Sequence, residues 1–129
     1  MDLRKYDSIT NAEKGVELIL SSDQAGKSTA GIVLFGADSS AHRQIERELV
    51  RRNSERKSLI TPEIIEDQVF EKLVACTKSW HGLEEGGKAL EYSPAAADKL
   101  YRSYPELSEL VAKFIFNRAN FFPTALTTS

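Results

Sequence analysis

Between Thr61 and Leu83 apolar residues recur at Ile65, Val69, Leu73, Cys76 and Trp80. The spacing is close to a helical period of about 3.6 residues, held over roughly five turns. Glu63, Glu66, Asp67, Glu71 and Lys78 fall on the opposite side and meet water. Thr61 is placed to cap the first turn, and Pro62 follows at the helical position where a missing N–H is harmless. Gly82, in Trp80-His81-Gly82-Leu83, is suited to the left-handed conformation that ends a helix. The pattern therefore predicts one capped amphipathic helix over the whole stretch, on which the other elements pack.

The rest of the chain divides around it. Residues 1–14 are polar and aperiodic and read as an irregular, mobile arm. Val16–Leu20 and Gly31–Gly36 are short apolar runs rich in strand formers, separated by a polar stretch from Ser21 to Ala30. They predict a β-hairpin over 15–36 with a long tip, too small to stand alone in water. Asp38-Ser39-Ser40 caps a second helix, about Ser40 to Arg56, whose apolar stripe (Ala41, Ile45, Leu49, Val50) is thin. Beyond the main helix, Glu84–Lys88 is a turn and Ala89–Tyr92 an extended link. Ser93-Pro94 starts a helix with Ala97, Leu100, Tyr101 and Tyr104 on its apolar face. Pro105 starts a last one, with Leu107, Leu110, Val111, Phe114 and Ile115 on one side. Its second half, through Phe122, is apolar nearly all round, as in a helix buried on every side or covered by a partner. Pro123 stops it, and 124–129 is a polar tail expected to fray. The expected fold is a small single-domain α+β protein over 1–129: predominantly α-helical, with about four helices in a body spanning 38–123 and an N-terminal β-hairpin.

Charge changes this picture more than composition does. At 129 residues and net charge −2 the chain fits one domain of ordinary size. From Arg43 to Lys57, however, there are six basic and three acidic residues, and from Ser58 to Ser129 seven basic and ten acidic. The single cysteine, Cys76, cannot form an internal disulfide. The first residues lack the apolar core of a signal peptide, and no apolar run approaches the roughly 20 residues a membrane span needs. The default expectation is a cytoplasmic protein without a membrane partner.

Candidate chemistry is sparse. Gly26-Lys27-Ser28 has the end of a phosphate-binding loop, but Ser21 stands where that loop needs glycine, and a strand follows where it needs a helix. Cys76 and His81, five residues apart on a helix, would point about 140° apart. One cysteine and two separated histidines, His42 and His81, give no ligand spacing for a metal. The adjacent carboxylates Glu66-Asp67 and Glu84-Glu85 are not held across a cleft. No cofactor, metal or catalytic group is called for, and no enzyme activity is expected. Two features favour protein partners. Arg43, Arg47 and Arg51 line up at four-residue spacing, suited to an acidic protein surface more than to nucleic acid. Phe114, Phe116, Phe121 and Phe122 cluster near the end, where some close the core and Phe116 and the terminal pair Phe121 and Phe122 are available for contact.

The order of short words in the second half carries a resemblance. Trp80-His81-Gly82-Leu83 is followed by Gly87, Leu90-Glu91-Tyr92-Ser93-Pro94 and Leu100-Tyr101. Together with Gly36-Ala37-Asp38-Ser39 before an arginine-rich helix, and Asn117-Arg118-Ala119-Asn120-Phe121-Phe122-Pro123 at the end, the match spans about residues 31–123. It resembles the tail assembly chaperones of long-tailed, siphovirus-like bacteriophages, in which a Trp-x-Gly-apolar helix end precedes a glycine turn and an aromatic-Ser-Pro helix start. In this chain Trp80, Gly82, Ser93 and Pro94 would form that structural corner. The resemblance implies a non-enzymatic protein of the host bacterial cytoplasm, absent from the mature virion. Its implied partners are the tape measure protein, which it keeps soluble, and the major tail tube protein, reached through a longer frameshifted form. It also implies self-association into an oligomer or spiral. The alternative is a small helical adaptor or virion connector that contacts nucleic acid through the Arg43/Arg47/Arg51 stripe.

Overall fold

The computed structural model describes residues 1–124, and all counts below refer to these. Five α-helices and five strands follow in the order α1 (Ile9–Lys14), β1 (Val16–Ser22), β2 (Ser28–Leu34), α2 (Ser40–Glu55), α3 (Pro62–Ala75), β3 (Thr77–His81), β4 (Glu84–Glu85), β5 (Lys88–Ala89), α4 (Pro94–Ser103) and α5 (Pro105–Phe116). Two 3-10 turns, Leu3–Tyr6 and Arg118–Phe121, flank the set. The architecture is α+β, as the sequence predicts, with a larger sheet than expected.

The predicted long helix is two elements. It starts as read, with the Ile64 N–H donating to Thr61 Oγ1 at 3.2 Å and Pro62 in the first turn. It stops at Ala75, and the chain enters β3. Apolar residues at Cys76 and Trp80 continue the helical spacing by coincidence, because both also fall in the core of the sheet-to-helix interface. The sheet decides the matter. β1 and β2 pair antiparallel, and β3 adds to β2 with Gly31 opposite His81, Ile32 opposite Trp80 and Leu34 opposite Thr77. A two-stranded ribbon is marginal in water, and a third strand satisfies the free edge of β2. The Cys76 carbonyl leaves the helical pattern to accept the Phe35 N–H at 2.7 Å.

Thr77 makes the junction. Its hydroxyl donates to the Leu73 carbonyl at 2.7 Å and lies 2.6 Å from the Tyr101 hydroxyl. With the threonine proton engaged, the tyrosine is the donor. The Thr77 carbonyl accepts the Tyr92 hydroxyl at 2.9 Å. One residue thus joins α3, β3, α4 and the segment before α4. Around it the core assembles from Leu18, Ile32, Leu34 and Trp80 on one sheet face, Leu73 and Cys76 at the end of α3, Ala97, Leu100 and Tyr101 on α4, and Val111 and Ile115 on α5.

Other expectations change in detail. The hairpin tip is shorter than read, since β1 extends to Ser22 and β2 begins at Ser28. Residues 1–14 are not a free arm. Ala12 of α1 is buried, Gly36 N–H donates to its carbonyl at 3.2 Å, and Ser8 Oγ donates to Asp38 at 2.5 Å. Glu13 takes the Ser40 N–H at 3.0 Å and the Ser40 hydroxyl, so a carboxylate sits at the positive end of α2. The extended link after the main helix is half of a small ribbon, β4 paired with β5. The last helix ends at Phe116, because Asn117 leaves the helical conformation and accepts the Ala119 N–H at 3.1 Å, opening the 3-10 turn. The 124–129 tail lies, beyond Thr124, outside the described residues.

Removing either partner of the Thr77–Tyr101 bond separates the two roles. Tyr101→Phe loses one hydrogen bond and costs about 1 kcal/mol, whereas Thr77→Val strands a buried phenol and costs more, about 1–3 kcal/mol; urea unfolding of both variants checks the order. Burial pushes the Cys76 thiol and the Tyr101 phenol each up to about 12. Above their ordinary values of 9.0 and 10.0 the unfolded chain releases these protons and the folded chain keeps them. Stability is therefore full below pH 9 and falls as pH rises toward 12, which denaturation midpoints across that range will show.

Candidate partner-binding surfaces

The arginine stripe lies on the outer face of α2, but its three members differ. Arg51 is held by Glu48 at 2.6 Å and Glu55 at 2.9 Å on the same helix. Arg43 makes no ion pair among the described residues but lies near enough to Asp38 and Glu13 to help hold both carboxyls below their ordinary range, behind the hydrogen bonds that dominate those shifts. Arg47 has neither kind of neighbour among the described residues. Beside it Val50 is 68% exposed. Arg52 turns the other way and closes on Glu71 of α3 at 2.7 Å, and the Asn53 and Gln68 amides pair below it at 2.7 and 3.1 Å. Of the six basic residues of the segment only Arg51 and Arg52 are ion-paired among the described residues, so the stripe loses one of its three cations, Arg51, to its own helix.

The phenylalanines also divide. Phe116 is 52% exposed and meets the buried His42 ring edge-on at 5.3 Å. Phe121, expected to be available for contact, is 1% exposed. It packs edge-on against Phe114 at 5.6 Å and over Gly36, so it closes the core beside α1. Phe122 is partly buried. The break at Asn117 causes the difference, because it folds the 3-10 turn back onto the sheet end rather than letting an apolar helix run on.

In the corner segment Trp80 to Leu83 ends a strand, not the helix expected there. Trp80 Nε1–H donates to the Leu90 carbonyl at 2.9 Å, and its ring meets Tyr92 edge-on at 5.1 Å. Gly82 has φ +74° in the turn leaving β3, and a Cβ there would overlap the Thr29 carbonyl oxygen. Ser93 Oγ accepts the Ala96 N–H at 3.0 Å and Pro94 opens α4.

Beside this corner is a surface the sequence reading missed. A groove of about 430 Å³ runs between the β4–β5 ribbon and the junction of α4 with α5. Leu83, Leu90, Leu100, Leu107 and Leu110 line it, with Glu84 and Glu106 also on its wall. Tyr104 crosses one end and donates to Glu85 at 2.5 Å, dividing it from a smaller depression below Trp80 and Lys99. Leu110 belongs to the predicted apolar stripe of α5 yet is 45% exposed. The excess of that stripe over what α4 and the sheet can cover was the available signal. The opposite wall is the β4–β5 ribbon, where the sequence pattern predicts only a turn and an extended link.

Polar clusters elsewhere have structural explanations. Glu17 on β1 reaches across β2 to His81 on β3, with Oε2 at 2.5 Å from Nε2, and takes the Ser28 hydroxyl at 2.8 Å. Gly31 makes this crossing possible, since a Cβ there would overlap the carboxylate. The His81 bond first, then Ser28, holds the Glu17 carboxyl below its ordinary value. His81 presents the same nitrogen to Glu17 and, at 3.3 Å, to Ser28, so the carboxylate does not orient the imidazole from behind as nucleophile activation requires. Cys76 lies in the core away from His81, a strand residue and not the helix-end histidine expected. At Gly26-Lys27-Ser28 the Asp23 carboxylate accepts the Ala25 and Lys27 N–H groups at 2.9 Å, filling the place an anion would take. Among the described residues no cluster of three or more His, Cys, Asp or Glu could hold a metal ion, and no helix is long and apolar enough to cross a membrane. No protein family, curated protein or solved structure matches this chain.

The two phenylalanine environments predict opposite outcomes. Phe121→Ala empties a filled site and costs about 3–5 kcal/mol. Phe116→Ala stays within about 1 kcal/mol, as for an exposed position. Guanidinium unfolding of the two variants side by side checks the assignment, and equal losses would contradict it.

Proposed function

We propose that this chain is a phage tail assembly chaperone that binds the tape measure protein, keeps its apolar helical stretches soluble in the host bacterial cytoplasm and helps recruit tail tube subunits. The observation that carries the reading is the ordered set of words from Trp80 to Pro94, with the arginine-rich and Asn117–Pro123 segments on either side. One physical feature is compatible with it. Distinct basic and acidic surfaces on one small protomer suit self-association, which in its head-to-tail form gives open spirals when the rotation does not close. The role requires no catalytic group. The longer frameshifted form that contacts the tail tube protein, and absence from the finished virion, belong to the same proposal.

Co-expression with a tape measure protein tests it. The expected outcome is that the client moves from the pellet to the soluble fraction and co-purifies with this chain. A client that stays insoluble, or the chain recovered as a stoichiometric component of purified virions, would overturn the reading.

A further inference from the structure

We propose that the groove between the β4–β5 ribbon and the α4–α5 junction is the seat for the α2–α3 loop of a second copy of this chain, with Leu59 and Ile60 as the inserted residues. This deepens the self-association part of the function proposed above and leaves client binding to be judged separately. Leu59, in the loop between α2 and α3, is 88% exposed, the highest value among large apolar residues in the described chain, and Ile60 beside it is 44% exposed. Arg56 and Lys57 precede them, separated from Leu59 by Ser58. Lys57 has no ion-pair partner among the described residues, and the Arg56 guanidinium donates to the Asn53 side chain at 3.3 Å without an acidic partner among them. The segment is thus a projecting pair of aliphatic side chains carrying two adjacent positive charges.

The groove is its counterpart in both respects. Its floor is aliphatic, made by Leu83, Leu90, Leu100, Leu107 and Leu110. Glu84 and Glu106 on its wall have no cationic partner among the described residues. Apolar side chains inserted into an apolar floor, with charges meeting at the wall, give a contact in which the floor supplies affinity and the charges fix orientation. The outer face of α2 is the competing occupant from a second copy. Its arginines fit the wall, but Val50 is the only apolar residue among those lining the shallow depression there, too little to fill a floor of five leucines. The α2–α3 loop satisfies both requirements. A loop of this size buries less than the roughly 1,200 Å² of a stable interface, so the association is reversible and grows with concentration.

Sedimentation velocity of the full-length purified chain over a concentration series tests the proposal. The wild type is expected to gain mass with concentration. Leu59→Asp and Leu110→Asp, both changes at exposed positions, are each expected to weaken self-association by about tenfold or more. An equimolar mixture of the two is expected to form complexes again, because one variant keeps an intact groove and the other an intact loop. Lys57→Glu and Glu106→Lys each weaken the association, and the two changes combined in one chain recover it. Far-UV circular dichroism verifies folding, and should Leu110→Asp unfold, Glu106→Lys takes its place in the mixture. A wild type that stays monomeric, single variants that associate like wild type, or a mixture that remains monomeric would each overturn the proposal. Client rescue by Leu59→Asp, scored in the co-expression assay, reports on the proposed function independently of these outcomes.

Discussion

Thr77 is the residue on which the arrangement turns. Its hydroxyl bridges the last turn of α3 to Tyr101 of α4, while its carbonyl receives Tyr92 and its backbone enters the sheet. A helix continued through this point would leave β2 with an unpaired edge and the Tyr101 phenol without a partner in the core. Each costs on the order of 1–3 kcal/mol when buried, more than the fraction of a kcal/mol by which helix propensity favours one residue over another. The break after Ala75 is therefore set by pairing and satisfaction of polar groups, not by local preference. Trp80 then arrives on a strand, where it covers the start of α4 through Tyr92 and Leu90.

Electrostatics closes the molecule at the opposite end. Asp38 receives Ser8 from the N-terminal segment and a bidentate Arg118 from the C-terminal turn. Glu13 occupies the start of α2. Together with Phe121 over Gly36, these contacts draw both ends of the described chain to one side of the sheet. Ion pairs also join elements across the fold: Arg52 of α2 meets Glu71 of α3, Arg102 of α4 meets Asp67 of α3, and Arg118 meets Asp38. These are partly exposed pairs whose individual contributions are small, and they act chiefly to set which helix faces meet. Other charges have no ion pair among the described residues, among them Arg47 on α2, Lys57 in the α2–α3 loop and Glu84 and Glu106 at the groove.

A protein that works by holding partners needs surfaces left incomplete by its own fold. Here the incomplete surfaces are the leucine-lined groove, the projecting Leu59-Ile60 loop and the half-exposed Phe116. The clusters with a reactive appearance in sequence are satisfied instead. Asp23 fills its own turn, Glu17 sits between Ser28 and His81, and Cys76 is sealed in the core.

Local chemistry was legible in the sequence wherever a short-range rule operates. Thr61, Ser39 and Ser93 cap the helices they were expected to cap, Pro94 and Pro105 open theirs, and the hairpin strands pair as read. The caps and helix starts depend on contacts within about four residues, and the hairpin pairs two runs adjacent in the chain, both of which a linear pattern can encode. The third strand, the order of residues 1–14 and the burial of Phe121 depend on partners dozens of residues away. A four-residue spacing from Cys76 to Trp80 fits a helix as well as this strand, and only the free edge of β2 selects between them. The same holds for function-bearing surfaces: the charge of Arg52 and the apolar character of Leu110 are properties of the sequence, but that Glu71 of α3 answers the first and that the second is left half exposed was decided by what the tertiary fold places beside each.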